Sequence, residues 1–224
     1  KIGRLDLDST RTKNGMQQII SDFQDKKTQI LIGTQMVAKG LDFDNVSLIG
    51  VINADTLLYY PDFRAFERSY QLLAQVAGRA GRRDKQGKVC IQAYDDSHRI
   101  IKQVVANDYA QMYADEMLER KQFNYPPFTR LIFINVKHKD ANVLNFAAQT
   151  LANDLKAQLG NRVLGPEQPL VARIRNYYIK QIIIKSEKNI AIQKVKAVLK
   201  DTIKNFNAQK DFKSVITQID VDPY

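Results

Sequence analysis

A single cysteine, Cys90, occurs in 224 residues, so the chain closes no internal disulfide and builds no thiolate metal cluster. Cys90 lies in an alternating segment that reads as a strand, and a small buried hydrophobe is its expected role. The two histidines, His98 and His138, lack partners at ligand spacing and are expected on the surface or at helix caps, so no metal site is expected. No apolar run approaches the ~20 residues of a membrane-crossing helix. No signal-peptide pattern is visible in these residues, and no internal repeat or low-complexity tract appears. No G-x-x-x-x-G-K-[ST] loop occurs, because "QGKV" lacks both the spacing and the hydroxyl. No Asp-Glu pair follows a predicted strand. The first residue is Lys1 rather than Met, and a piece of a longer, cytoplasmic protein is expected.

What is present describes a soluble globular chain: 44% hydrophobic and 26% charged residues. The net charge is +10 and uneven. Residues 1–124 hold 18 Lys/Arg against 16 Asp/Glu, a net of +2, whereas residues 125–224 hold 16 against 8, a net of +8. A basic half points to a polyanionic partner, nucleic acid first, with plain solubility as the alternative.

Periodicity gives the organisation. Residues 12–25 read as a helix, with Met16, Ile19, Ile20 and Phe23 on one face. "QILIG" and "VSLIGVI" are short continuous apolar runs, the pattern of strands covered on both faces. Residues 62–80 read as a helix opened by Pro61, with Glu67 near its positive end. "KVCIQAY" alternates as a strand, and Ser97 can cap one long helix through Ile100, Ile101, Val104, Val105, Tyr109 and Met112. Strands alternating with helices predict βαβ units and a mostly parallel sheet. "NYPPF" is the clearest break, so domains are expected over 1–124 and 125–224. Beyond it the order β-α-β-β-α-β is predicted: strand 130–138, helix 140–159, strand material at 162–165 and 171–176, strand 178–185, helix 188–207 and strand 214–222. That order suggests a small ferredoxin-like α+β domain.

The segment "QVAGRAGRR", Gln75 to Arg83, sits behind an apolar stripe of Phe66, Tyr70, Leu73 and Ala77. On a continuing helix, Gln75, Arg79 and Arg82 project about 180° from that stripe. Gly78 and Gly81 leave room for another surface to come close. Arginine suits bidentate contact with phosphate oxygens and keeps its charge. A second constellation is "ILIGTQMVAKGLDFDNV". There Thr34 and Gln35 emerge from the C-terminal end of a strand, the edge at which open α/β sheets bind ligands. Lys39, Gly40 and Asp42 follow in a turn.

The spacing Q-x-x-G-R-x-G-R resembles motif VI of superfamily 2 helicases, and the second string resembles motif V. The blocks "RLDLDST", "NADTLLYYPDFRAFERSYQLLAQVAGRAGR", "YPPF", "RIRNYYIKQIIIKS" and "IDVDP" extend the likeness almost end to end. Together they resemble the C-terminal part of the PriA, or primosomal protein N-prime, family of replication-restart helicases. The resemblance implies a RecA-like second helicase lobe followed by a C-terminal DNA- and partner-binding domain. It implies Arg82 as an arginine finger, Arg79 as a second phosphate contact and Gln75 as a positioning group, acting on ATP and Mg²⁺ shared with a first lobe. It further implies Thr34 and Gln35 on the nucleic-acid backbone, and Gly40, Asp42, Gly78 and Gly81 on the nucleotide side. The family's zinc-binding cysteines have no counterpart in this sequence. Two positions depart from the family pattern: Asp44 stands where proline is expected, and Ile179 where an arginine is, leaving Arg175 or Lys180 as the available substitutes.

In "ARIRNYYIKQIIIKS", Arg173, Arg175 and Lys180 stand beside Tyr177 and Tyr178, and basic residues next to aromatics can track a backbone and stack bases. The alternative is an ordinary strand pair with half-buried tyrosines. Asp220 and Asp222 are expected to end a strand before Pro223. The resemblance implies forked and single-stranded DNA, the acidic tail of the single-strand-binding protein and other primosome proteins as partners, with the protein a monomer. The rival readings are another superfamily 2 translocase, for branch migration or RNA, and a non-catalytic binding module built on a helicase lobe.

Overall fold

The computed structural model describes residues 1–6, 13–34, 46–80 and 87–223. They form two compact units, Lys1–Glu116 and Met117–Tyr224.

In the first unit, β1 (Ile2–Leu5) pairs in parallel with β2 (Ile30–Gly33), connected through α1 (Lys13–Gln24). Ile19 of α1 lies over Gly3 of β1, where an added Cβ would come within 3.8 Å of it. A second parallel pair joins β3 (Leu48–Val51) to β4 (Lys88–Ile91). Between them run the short α2 (Asp55–Leu58) and α3 (Ala65–Ala77). The core gathers Ala54, Leu58, Tyr70, Leu73, Ile100, Ile101, Val104 and Met112.

Several expectations change here. The apolar runs do form strands, but Ile30, Ile32 and Leu48 are more than half exposed, because each of these strands has one paired neighbour among the described residues. Cys90 is exposed on β4 for the same reason, not buried. Pro61 does not open α3; the helix starts at Ala65 with Arg64 as its N-cap, after a turn in which Asp62 accepts from Arg64 N at 2.8 Å through its carboxylate and from Ala65 N at 2.9 Å through its carbonyl. The single helix expected after Ser97 is two, α4 (Arg99–Ala106) and α5 (Tyr109–Gln122). Asn107 breaks it in the left-handed region at φ 53°, and Asp108 restarts it by accepting from Gln111 N. Val105 and Tyr109, expected on the apolar face, are exposed. The cap of α4 is His98, whose Nδ1 accepts from Ile100 N at 3.2 Å, while the Ser97 hydroxyl donates to Asp95.

In the second unit, β5 (Thr129–His138), β6 (Val163–Glu167), β8 (Tyr177–Glu187) and β9 (Ile216–Val221) form an antiparallel sheet in the order β6-β8-β5-β9, with the two-residue β7 (Arg173–Ile174) also on β8. α6 (Ala141–Leu159) and α7 (Ile192–Ala208) cover one face. Ile132, Ile134, Val136, Ile182 and Ile184 alternate inward to meet Leu151, Leu155, Val195, Leu199 and Phe206. Asp140 caps α6 by accepting from Asn142 N at 2.7 Å and Val143 N at 3.1 Å. Gly165, at φ +90°, sits where β6 shifts register against β8; a Cβ there would lie 2.9 Å from the Gln181 carbonyl oxygen. Asp222 closes β9 onto Leu131, its N–H donating to the carbonyl at 2.8 Å. His138 hydrogen-bonds the Asp140 backbone and the Ser214 hydroxyl.

Candidate functional site

The first candidate surface lies at the end of α3. Tyr70 and Leu73 hold one side of that helix in the core, and the period of 3.6 turns Gln75 outward, where it is exposed. α3 stops at Ala77, earlier than expected. Arg79 then stands in a turn tightened by its own N–H, which donates to Val76 O at 3.1 Å. Gly78 has an ordinary helical φ of −67°, so backbone freedom is not its use, and an added Cβ would meet only Ala74 O at 3.5 Å and Gln75 O at 3.8 Å. The Arg79 side chain is half-buried, and its Nε is a buried donor with no hydrogen-bond partner among the described residues. An orphaned guanidinium donor is costly unless something supplies an acceptor. A phosphate oxygen fits that requirement in charge and geometry.

Beside Gln75 runs an open groove of ≈ 560 Å³ between α2 and α3, lined by Thr56, Leu57, Tyr60, Arg68, Leu72 and Gln75 among others. Arg68 is held in it by Asp62, Nη1 to Oδ2 at 2.8 Å. Sequence reasoning did not single out Arg68; the signal was the Pro-Asp turn six residues upstream, which frees a carboxylate to reach back. Thr34 is exposed at the bend directly after β2, at the C-terminal end of that strand. Gln35, Gly40, Asp42, Gly81 and Arg82 lie outside the described residues, as do Lys39 and Asp44.

The second candidate surface is the β7–β8 hairpin. Ile174 pairs with Tyr177, so Arg175 and Asn176 form a two-residue turn. Arg175 opens it at φ 54°, a left-handed position that usually falls to glycine, and its side chain is exposed. The two tyrosines part ways because strand neighbours face opposite sides. Tyr178 shares the helix-bearing face with Ile182 and Ile184, packs against that core, and carries the Arg173 guanidinium 4.7 Å from its ring centroid. Lys180 falls on this same face, opposite Val136. Tyr177 lies on the other face with Lys139 Nζ 5.6 Å from its centroid. The structure thus brings Arg173 to Tyr178 but does not gather all five residues into one patch. Ile179, at the position where the family arginine was expected, is buried between them in sequence, with its N–H on Ala172 O at 2.9 Å.

Among the described residues no group of three or more His, Cys, Asp or Glu could hold a metal ion, and no helix is long and apolar enough to cross a membrane.

Two family models match. The helicase conserved C-terminal domain covers residues 2–84, which implies a RecA-like lobe, and the primosomal protein N C-terminal domain covers 121–224. The chain is similar to proteins named replication restart protein PriA: 40% identical over 226 residues to that of Bacillus subtilis, covering all of this chain and 28% of the relative. It is 37% identical to that of Treponema pallidum, covering 100% of this chain and 33% of the relative. For Synechocystis the figures are 34%, 98% and 26%. The chain thus spans about a third or less of the length of these relatives.

Proposed function

The chain belongs to the PriA family of replication restart proteins, and from that premise we propose that it forms the second helicase lobe and the C-terminal domain of an ATP-dependent DNA helicase that remodels stalled forks and starts primosome assembly. The observation that carries the catalytic half is Arg79: a half-buried guanidinium whose Nε has no hydrogen-bond partner among the described residues, four positions after the exposed Gln75. In this reading Arg79 donates to a phosphate oxygen of ATP, Gln75 orients the group, and Arg82 is the arginine finger. ATP with Mg²⁺ supplies the phosphoanhydride whose cleavage drives movement. No phosphate-cradling loop occurs in the sequence, so the rest of the nucleotide site belongs to a first lobe, and this chain alone is inactive as an ATPase. Thr34 contacts the nucleic-acid backbone. The order β-α-β-β-α-β with antiparallel neighbours supports a ferredoxin-like reading of the second unit, with the boundary between the domains at the "NYPPF" segment. Arg173, Arg175 and Tyr177 present the hairpin to forked or single-stranded DNA, with the acidic tail of a single-strand-binding protein as the second partner. The setting is the bacterial cytoplasm, and the protein acts as a monomer.

The test uses the full-length protein. Arg82→Ala should lower ATP turnover by about 10³–10⁵, the range of arginine fingers, and Arg79→Ala should lower it too, to a smaller extent, while affinity for forked DNA stays near wild type. Loss of DNA binding with basal turnover intact would instead make these arginines part of a nucleic-acid patch.

A further inference from the structure

Of the two long helices of the second unit, only α7 carries a marked excess of positive charge. α6 and α7 cover the same face of the sheet, and Gln158 of α6 donates to Thr202 of α7 at 3.0 Å. Over its 19 residues α6 carries one lysine, Lys156, against one acid, Asp154. In 17 residues α7 carries Lys194, Lys196, Lys200 and Lys204 against Asp201 alone. Val195, Leu199, Thr202, Ile203 and Phe206 are buried, which fixes the rotation of α7. Lys196, Lys200 and Lys204 then fall within an arc of about 80°, each step rising about 6 Å along the axis. Gln193 and Asn207 occupy the same arc, and all five are exposed. Among the described residues no carboxylate pairs with any of the three lysines, although ion pairs form elsewhere, as at Arg162–Glu187. Like charges four residues apart disfavour a helix, so a ridge of three unneutralised ones is a feature that stability does not select.

We infer that the exposed ridge of α7, Lys196, Lys200 and Lys204 flanked by Gln193 and Asn207, binds the sugar-phosphate backbone of a DNA strand. The inference rests on the DNA-binding reading above and adds a contact surface separate from the β7–β8 hairpin. A linear row of cations on a helix follows successive phosphates, and the two amides can donate to the oxygens between them. A membrane surface does not suit this helix, because its apolar side is spent on the core and the ridge offers no side chain to insert. An acidic peptide anchors through apolar residues in pockets, and Ala197 is the one apolar residue exposed along the ridge.

The experiment titrates the 224-residue chain with a labelled single-stranded oligodeoxynucleotide by fluorescence anisotropy across a salt series. Three variants are compared: K196Q/K200Q/K204Q, the lysine-to-arginine triple at the same positions, and K26Q/K88Q/K102Q, which removes equal charge from the other unit. Glutamine and arginine keep helix propensity near that of lysine, and thermal midpoints verify folding. Each phosphate neutralised on a single strand adds about 0.7 to the steepness of log K against log[salt], so the ridge variant, short of three cations, should show a slope flatter by about 2. Its affinity should fall about a hundredfold at about 0.1 M salt and converge with wild type near 1 M. The arginine triple should keep the slope, and the K26Q/K88Q/K102Q control should change it little. Equal losses in the control and the ridge variant would overturn the assignment, as would an unchanged slope in the ridge variant. Titrations with polyglutamate and with phosphatidylserine vesicles run alongside; tighter ridge-dependent binding to either would replace DNA as the partner. ATP turnover of the full-length protein separates the two readings. An unchanged slope with Arg79-dependent turnover sinks the ridge alone, and a flattened slope with turnover indifferent to Arg79 and Arg82 sinks the helicase assignment alone.

Discussion

The guanidinium of Arg173 lies over the ring of Tyr178, 4.7 Å from its centroid, and the underside of that ring rests on the core of the second unit. Tyr178 is thereby committed to packing, with a cation on its free face. Tyr177, one residue earlier, points to the opposite side of the sheet. Tyr178→Ala should therefore destabilise the chain by about 1–3 kcal/mol, since it removes a half-buried ring from the core. Tyr177→Ala should cost clearly less stability and more DNA affinity, if its ring stacks on a base. Urea denaturation paired with anisotropy titration checks both; equal stability losses would mean that the two rings share a packing role.

Gly165 gives a second prediction, resting on backbone geometry. At φ +90° with a Cβ position 2.9 Å from the Gln181 carbonyl oxygen and 3.0 Å from Glu167 N, an added methyl meets backbone on two sides. Gly165→Ala should cost about 2 kcal/mol or more. Gly50→Ala is the contrast, because its added Cβ meets nothing within 4 Å, and its denaturation midpoint should stay close to wild type.

The cap of α6 makes stability depend on pH. Asp140 accepts the backbone N–H groups of Val143 and Asn142, and these bonds hold its carboxyl below the usual carboxylate range. The folded state thus prefers the charged form more than the unfolded state does. The contribution is fully present above the unfolded carboxylate pKa and is lost as pH falls through the lowered folded value. Asp140→Asn keeps a capping oxygen without the charge. Its thermal midpoint should lie below wild type at neutral pH, and the two curves should converge in acid; parallel curves across the acid range would sink the linkage.

How much of this was legible in the sequence differs between the units. In the second unit, helix 140–159 and strand 130–138 agree with Ala141–Leu159 and Thr129–His138 to within a residue, because long amphipathic elements on one core repeat their period many times. In the first unit, "QILIG" announced a strand but not its exposure, since an apolar run says nothing of how many neighbours will cover it. The break at Asn107–Asp108 was written in turn-forming residues and was overridden by the apolar period on either side. The outward face of Gln75 followed from helical period, whereas Arg79's place in a turn depended on where α3 stops, which no local pattern set. The basic-aromatic hairpin was visible as composition; its division between two faces needed the register of β7 on β8. The α7 ridge emerged once burial of Val195, Leu199 and Phe206 had fixed the helix rotation.

The last prediction concerns Lys185, where two effects oppose each other. Burial pushes its ammonium below the ordinary lysine range. Against that, Nζ sits 3.6 Å from the centroid of the Tyr125 ring and donates to the Phe123 carbonyl at 2.8 Å, and both contacts favour the charged form. The net direction is downward, with burial as its cause, and the ring and the carbonyl act against it. Tyr125→Leu preserves apolar bulk and removes the electron-rich face. It should lower the Lys185 pKa further, read as an earlier midpoint in an NMR titration of its side-chain carbons. Lys185→Ala should cost about 1–3 kcal/mol, because the Phe123 carbonyl loses a charged donor and the Tyr125 ring its cation. It should also raise proteolysis at residues 123–128, which that side chain ties to β8. An upward pKa shift in Tyr125→Leu would show that the ring acts through burial and not through its π-face.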